Sequence, residues 1–199
     1  MSDIYKTIAA RAEGLYKEKG SRFIAFAIPV ETEEEIKTHL LQLRKEYHDA
    51  RHHCYAYRLG ADGGVYRTND DGEPSGTAGR PIYGRLLSAD LTNILVVVVR
   101  YFGGIKLGVS GLTNAYKLAT EDALANAVVE TRIVKARYEV HFSYAQMNAV
   151  MQLMKTKDIE IKTTDFNADC RITFAVRQND AEAFKQQLEK LNEVEVVPC

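Results

Sequence analysis

The most constraining feature of this sequence is an uninterrupted apolar run at residues 94–99, in which five of the six side chains are β-branched. Branched side chains favour extended backbone, and a short run that is apolar at every position is typical of a strand covered on both faces. The run therefore predicts the central strand of a sheet whose two faces are both covered by other parts of the protein.

The segments before this run predict the rest of that sheet and one helix. Residues 11–17 and 22–28 alternate in polarity around a short turn and predict a hairpin, and residues 52–59 and 65–68 predict two further strands. Thr32 begins a capping box, in which a hydroxyl and a carboxylate three residues later satisfy free backbone amides at a helix start. The helix that follows has one apolar face, so we expect it to pack on the sheet.

Two more helices are predicted around the central strand. Residues 69–79 are crowded with turn residues and predict a long loop, after which Pro81 suits the first turn of a short helix ending near Ser88. The glycine-rich residues 103–111 then lead into a longer helix. Its predicted apolar face is small, which indicates close packing, and consists of Leu112, Ala115, Ala119, Ala123 and Ala127.

The pattern of predicted elements changes near residue 132. The remaining elements are predicted as strand, helix, strand, strand, helix and strand, at residues 134–142, 145–155, 159–166, 170–176, 181–191 and 194–197. This order is typical of a ferredoxin-like domain, and Asn179 and Glu182 predict a second capping box at its second helix. We therefore expect an α+β protein with two domains, at residues 1–131 and 132–199.

Charge and cysteine content bound the class of protein. The 26 Lys and Arg residues balance 27 Asp and Glu residues, so a site for a polyanion would have to be local. No apolar run approaches the roughly 20 residues that span a bilayer, and no secretory signal is visible. Three cysteines without a C-x-x-C pair argue against a disulfide framework and a cysteine zinc site. We expect a cytoplasmic protein with no membrane partner, metal or cofactor, and the oligomeric state stays open.

The glycine-rich loop is the first candidate for chemistry. Glycines at 103, 104, 108 and 111 would let the backbone approach an anion closely. The spacing approximates a phosphate-binding loop, but Val109 stands where the lysine belongs and Lys106 lies three residues early, so a nucleoside triphosphatase is not predicted. An equal alternative is that the glycines allow this loop to pack tightly against the adjoining helix and strand.

A basic motif opens one of the predicted strands. Strand alternation places His52 and Cys54 on one face and Arg51 and His53 on the other, so neither face offers three zinc ligands. A nucleophilic cysteine is likewise not favoured, because no base or oxyanion site accompanies it. If the strands are neighbours, Arg51, His53 and Arg100 would form a basic cluster suited to phosphate.

The long loop contributes carboxylates to the same region. Asp70, Asp71 and Glu73 could bind a divalent cation. The favoured interpretation is that Asp70 and Asp71 cap nearby backbone amides in an exposed turn. Thr77 and Gly79 could aim helix-start amides into the same cleft.

Three motifs, in this order and spacing, resemble those of the IMPACT family in its YigZ-like, two-domain bacterial form. They are RHHC at 51–54, DDGEP at 70–74 with GTAG at 76–79, and RYFGG at 100–104 with Gly108. The resemblance covers nearly the whole chain. It implies an N-terminal domain like the second domain of ribosomal protein S-five and a C-terminal domain like the fifth domain of elongation factor G.

The resemblance also implies a connection to translation. Eukaryotic members restrain a starvation-responsive kinase of translation initiation, through contacts that include an N-terminal RWD domain. Residues 2–29 are too short to contain that domain, so the eukaryotic partner is not carried over. Members have also been labelled as peptidases, but this sequence offers no metal-ligand set or nucleophile triad for that activity.

Our leading hypothesis is a non-catalytic binding protein that engages RNA or the translation machinery through a polar cleft. The alternatives are a hydrolase for a small phosphorylated or peptide-like substrate, with His53 as acid or base and Asp71 or Glu73 holding a cation, and an adaptor that uses the C-terminal domain. The residues predicted for the cleft are Arg51, His52, His53, Asp70, Asp71, Glu73, Thr77, Gly79, Arg100, Tyr101, Gly103, Gly104, Lys106, Gly108 and Gly111.

Overall fold

The computed structural model of the chain describes residues 3–155, 158–167 and 169–199, and the chain divides into two compact units. One unit is Tyr5–Arg132, and the other is Ile133–Cys199 together with Asp3 and Ile4. The sequence predicts a single boundary after residue 131. The structure divides the chain one residue later and assigns Asp3 and Ile4 to the C-terminal unit.

The larger unit is built on a five-stranded sheet in the order β2-β3-β6-β4-β5, with every neighbouring pair antiparallel. The strands of this part of the chain are β1 (Ile4–Ile8), β2 (Ala12–Glu18), β3 (Ser21–Pro29), β4 (His52–Leu59), β5 (Val65–Asn69), β6 (Ile94–Tyr101) and β7 (Val129–Ile133). Its helices are α1 (Glu33–Glu46), α2 (Gly79–Ser88) and α3 (Gly108–Ala125).

Strand β6 is the middle strand of the sheet, and residues 94–99 are fully buried. On one face, Val97 belongs to a core cluster with Leu43 of α1, which we call the α1-side cluster. On the other face, Val98 belongs to a core cluster with Ala119 of α3, which we call the α3-side cluster. The prediction of a central strand covered on both faces is therefore confirmed.

Strands β1 and β7 form a separate two-stranded sheet that the sequence analysis missed. Each strand has five residues, and the two pair across more than 120 positions of sequence, which leaves no local signature of their pairing. The capping box of α1, in contrast, is present. The amide of Glu35 donates to Thr32 Oγ1 at 3.2 Å, and the Glu35 carboxylate accepts from the amide of Glu31 at 2.7 Å.

The C-terminal unit has the predicted order of elements. Its strands are β8 (Lys135–Phe142), β9 (Glu160–Phe166), β10 (Cys170–Arg177) and β11 (Val194–Pro198), and its helices are α4 (Met147–Met154) and α5 (Gln178–Glu189). The sheet order is β11-β8-β10-β9 with antiparallel neighbours, which is the ferredoxin-like arrangement. The α+β fold class is confirmed.

The second predicted capping box is wrong. Helix α5 begins at Gln178, and no side chain of its own segment caps it. The amide of Asn179 instead donates to the carboxylate of Asp3 at 3.3 Å, and the same carboxylate accepts two bonds from Arg177 at 2.7 and 3.0 Å. A carboxylate from the other end of the chain occupies the role assigned to a local side chain.

Two further observations concern the class of protein. Across the described ranges, no helix has the length and apolar character needed to cross a membrane. Cys54 and Cys170 are buried, Cys199 is exposed, and all three are free thiols.

Candidate functional site

A pocket of about 440 Å³ lies in the larger unit, where the start of β4, the end of β6 and the start of α3 meet. Antiparallel pairing of β4 with β6 brings His52 opposite Arg100 and so defines this end of the sheet. The residues that line the pocket are Arg51, His52, Glu73, Pro74, Arg100, Phe102, Lys106, Leu107, Gly108, Val109 and Leu112.

A buried ion pair forms the floor of the pocket. Arg100 Nη1 donates to Glu73 Oε1 at 2.5 Å, and the two side chains are only 7% and 4% exposed. Tyr116 Oη donates to the same carboxylate oxygen at 2.8 Å. The guanidinium also lies 5.3 Å from the ring centroid of Phe23 and 5.7 Å from that of Phe102. These contacts hold Arg100 in one orientation.

The Nε atom of Arg100 is buried and has no hydrogen-bond partner among the described residues. Leaving a buried donor unpaired costs about 1–3 kcal/mol, and more when the group is charged, so most such donors in native proteins are satisfied. This donor belongs to a residue that lines the pocket. A residue of the pocket lining thus carries a buried cationic donor that has no partner in the described chain.

His52 presents an acceptor to the same pocket. Its Nδ1 lies 2.8 Å from the carbonyl oxygen of Asp71. Because a carbonyl oxygen can only accept, neutral His52 carries its proton on Nδ1. Its Nε2, which lies 3.9 Å from Glu73 Oε1, then has a free lone pair.

The first turn of α3 is uncapped. Leu107 at the cap position makes no side-chain bond, and the first turn contains no acidic residue. Gly108 has a φ of +73°, which a glycine adopts without strain, and Gly108 and Val109 line the pocket. The first amides of a helix lack intrahelical partners and carry its positive end, so this turn favours an anion.

His53 does not lie in the pocket, so the predicted basic cluster of Arg51, His53 and Arg100 is wrong. Strands β4 and β6 are neighbours, but the register pairs His52, and not His53, with Arg100. His53 faces α1, where its side chain is 5% exposed. Burial lowers the pKa of His53, and the nearby Arg44 adds to this shift.

Asp70 caps α2 and occupies the amides of Ala78 and Gly79 at the helix start. Its carboxylate accepts from the amides of Gly76, Ala78 and Gly79 at 2.8, 3.0 and 2.8 Å. Burial alone would raise the pKa of Asp70, but the three amides outweigh it and the pKa lies below its usual value. The expectation that Gly79 aims an amide into the cleft is therefore wrong.

Asp71 and Thr77 also make internal contacts. Asp71 accepts from Arg44 at 2.8 Å and from the amide of His53 at 2.6 Å. Burial opposes ionisation of Asp71, but these two donors lower its pKa overall. Thr77 is buried, and its hydroxyl donates to the carbonyl oxygen of Pro74 at 2.7 Å. Both residues shape the loop that carries Glu73, and neither lines the pocket.

Besides Gly79, the predicted residues Gly103, Gly104, Gly111 and Tyr101 lie outside the pocket lining. A Cβ atom at Gly103 would lie 1.9 Å from the carbonyl carbon of Gly20, so this glycine permits close packing against the β2-β3 turn. Gly104 has a φ of +90°, which suits the turn before α3, and Gly111 lies within that helix. Tyr101 faces the α1 side of the sheet, where it packs against the α1-side cluster.

Sequence reasoning missed the apolar part of the site and its buried tyrosine. Phe102 is 46% exposed, and its position within the RYFGG motif, between the predicted residues Arg100 and Gly103, could have marked it. Tyr116 lies four residues after Leu112, and so on the predicted buried face of α3. The other missed residues that line the pocket are Pro74, Leu107, Val109 and Leu112.

The thiol of Cys54 is buried beneath the pocket. Its Sγ lies 3.0 Å from the carbonyl oxygen of Asp70 and 3.2 Å from Tyr116 Oη, and burial raises its pKa far above the usual value. Such a thiol is a poor nucleophile at neutral pH. Within the described part of the chain, no group of three or more His, Cys, Asp and Glu side chains is arranged to hold a metal ion.

Comparison with known proteins gives matches over both units. The Impact N-terminal domain matches residues 19–124, and a domain of unknown function (DUF1949) matches residues 140–191. An IMPACT family member of Haemophilus influenzae is 34% identical over 85% of this chain and 84% of its own length. The IMPACT family member YvyE of Bacillus subtilis is 30% identical over 94% of this chain and 86% of its own. A crystal structure of a hypothetical protein, 30% identical, matches 100% of this chain and 98% of its own with a TM-score of 0.76.

Proposed function

The chain belongs to the IMPACT family, and from that premise we propose that it is a non-catalytic regulator of translation that binds RNA through the pocket beside α3. The family resemblance supports the connection to translation. The chemistry of the pocket supports RNA, because a phosphodiester backbone is an anion with several acceptor oxygens. We place this activity in the cytoplasm, where free thiols stay reduced.

One observation carries the proposal: the unpartnered Nε of buried Arg100 in the pocket. Guanidinium groups bind phosphate oxygens through short, charge-assisted hydrogen bonds. A phosphate oxygen at Nε would satisfy this donor without breaking the bond from Nη1 to Glu73. The ligand thus completes an arrangement that the folded chain leaves incomplete.

The charges around Arg100 support the same ligand. The pocket lining holds three cationic side chains, Arg51, Arg100 and Lys106, and one carboxylate, Glu73. The uncapped first turn of α3 adds the positive end of an 18-residue helix. The chain as a whole has a net charge of −1, so this attraction is confined to the pocket region.

The hydrolase alternative requires His53 beside Asp71 or Glu73 in one cleft. His53 Nδ1 lies 4.0 Å from Asp71 Oδ2, but neither residue lines the pocket, and the Asp71 carboxylate is bonded to Arg44 and to the amide of His53. His52 does lie in the pocket, but its Nδ1 is committed to a carbonyl oxygen and the nearest carboxylate is already paired with Arg100. The geometry favours binding over turnover.

Retention of single-stranded RNA as a function of salt tests the proposal. In the pocket variant, Arg51→Ala with Lys106→Ala, we expect weaker binding and a slope of log affinity against log salt that is smaller by about 1.4, or about 0.7 for each phosphate that the variant no longer neutralises. The control variant, Lys37→Ala with Arg67→Ala, removes the same charge from exposed positions outside the pocket. Equal weakening in both variants would mean that only the overall charge matters, and would refute the pocket as the site.

A further inference from the structure

The pocket has an apolar wall that a phosphate alone would not need. Phe102, Leu107 and Leu112 contribute to this wall, and the ring of Phe102 is 46% exposed. Exposed aromatic rings in nucleic-acid-binding sites stack against unpaired bases, and they do so with little dependence on base identity. The volume of about 440 Å³ is in the range of sites for small organic ligands, which is more than a bare anion requires.

The pocket also contains acceptors, which a phosphate would repel. Both hydrogen bonds that Glu73 accepts from the described residues go to Oε1, so Oε2 has none from them. His52 Nε2 has a free lone pair in the tautomer that its bond to Asp71 imposes. Two acceptors beside a cationic donor match a ligand that carries hydroxyl groups as well as a phosphate. Ribose supplies such hydroxyls, and its 2′-hydroxyl distinguishes RNA from DNA.

These features lie in one pocket, so a single ligand can contact all of them. We infer that the pocket binds one ribonucleotide unit, with its phosphate at Arg100 Nε and the first turn of α3, its ribose hydroxyls at Glu73 and His52, and its base against Phe102. This inference rests on the proposed RNA-binding function, and it adds the class of ligand. The same chemistry is present in a free nucleotide and in one unit of an RNA strand.

Calorimetric titration of the full chain tests the class of ligand. The probes are AMP, dAMP, adenosine and inorganic phosphate. We expect AMP to bind at least about tenfold more tightly than dAMP, because removal of the 2′-hydroxyl leaves charged or buried acceptors unpaired. Adenosine and phosphate should each bind more weakly than AMP. Equal affinity for AMP and dAMP, or for AMP and phosphate, would overturn the inference.

A variant series separates the base contact from the charge contacts. Phe102→Ala should weaken AMP binding about tenfold with an unchanged salt slope, because stacking releases no counterions. Tyr144→Ala, which removes an exposed aromatic residue of the other unit, is the matched control and should bind AMP normally. Normal AMP binding by Phe102→Ala would show that the base does not lie on this wall.

Comparing the affinities for an RNA oligonucleotide and for AMP shows whether the ligand is a strand or a free nucleotide. A 5′-phosphorylated eight-nucleotide RNA that binds far more tightly than AMP supports a strand as the source, and equal affinity supports the free nucleotide. If the sugar and base tests fail while RNA retention still depends on Arg51 and Lys106, only the inference fails. If that dependence is absent as well, the proposed function fails with it.

Discussion

The pair of Arg100 and Glu73 makes the interior of the pocket depend on two charges that are almost fully removed from water. A buried pair is costly to form, but removing one partner is costlier, because it leaves a charge uncompensated. Tyr116 also donates to Glu73 and would remain bonded to it in an arginine-free variant. The pair therefore links the stability of the larger unit to the geometry of the ligand site.

Arg100→Met should lower the free energy of unfolding by about 3–5 kcal/mol, because Glu73 then stays buried without its cation. Adding Glu73→Gln should restore most of this stability, since glutamine is neutral and can still accept from Tyr116. Urea denaturation of both single variants and of the double variant measures this coupling. Strict additivity of the two single effects would show that the ion pair is not a coupled unit.

The two adjacent histidines show how far the site could be predicted from the sequence. Alternation along β4 correctly separated His52 from His53, because side chains in a strand point to opposite faces. Which face also carries Arg100 depends on the register between β4 and β6, and register is set by packing across the whole sheet. Both histidines were predicted for the cleft, and the basic cluster was predicted with His53, whereas only His52 lines the pocket.

At the scale of elements, the helix starts are stabilised in different ways. Thr32 caps α1 from its own segment, Asp70 caps α2 from the preceding loop, and α3 has no side-chain cap. The first case has a local sequence signature and was predicted. Capping of nearby amides by Asp70 was also the favoured interpretation, but its target, the start of α2, follows from how the loop folds back, which periodicity and propensity do not encode.

Asp70→Asn should destabilise the protein by about 1 kcal/mol at neutral pH, because a neutral amide binds the three α2 amides more weakly. The pKa of Asp70 is lowered in the folded protein, so its contribution is fully present above the unfolded value near 3.9 and is lost as pH falls through the folded value. The difference between Asp70→Asn and the parent protein should thus shrink below about pH 4.

Thermal unfolding of parent and variant between pH 3 and pH 7 measures this effect. Asp90→Asn is a suitable control, because Asp90 is exposed and its ion pair with Lys6 is long at 3.9 Å. A gap between Asp70→Asn and the parent that stays constant down to pH 3 would show that the charge of Asp70 does not cap α2.

At the scale of the whole molecule, most of the fold was predicted from the order of the elements along the chain. The strand and helix order after residue 132 identified the ferredoxin-like unit, and the apolar run at 94–99 identified the centre of the other sheet. Both rest on periodicity within single segments. Contacts between distant parts of the chain, such as the pairing of β1 with β7, have no local signature and could not be predicted.

Asp3 is the clearest contact of this kind, because it bonds to Arg177 and to the amide of Asn179 within the C-terminal unit. Asp3→Ala removes the carboxylate that holds the start of α5, so we expect the amides of α5 to exchange hydrogen faster. The amides of β6, in the larger unit, should keep their protection. Hydrogen exchange followed by mass spectrometry resolves the two segments.

Glu13→Ala is the control for this exchange experiment, since Glu13 forms an exposed ion pair with Arg11 in the larger unit. It should leave α5 unchanged, because exposed pairs contribute little to stability. Faster exchange in α5 for Asp3→Ala alone would establish that residues at the start of the chain stabilise a helix near its end. Unchanged exchange there would mean that α5 is held by its packing on the sheet, through residues such as Phe184 and Leu188, without help from the Asp3 carboxylate.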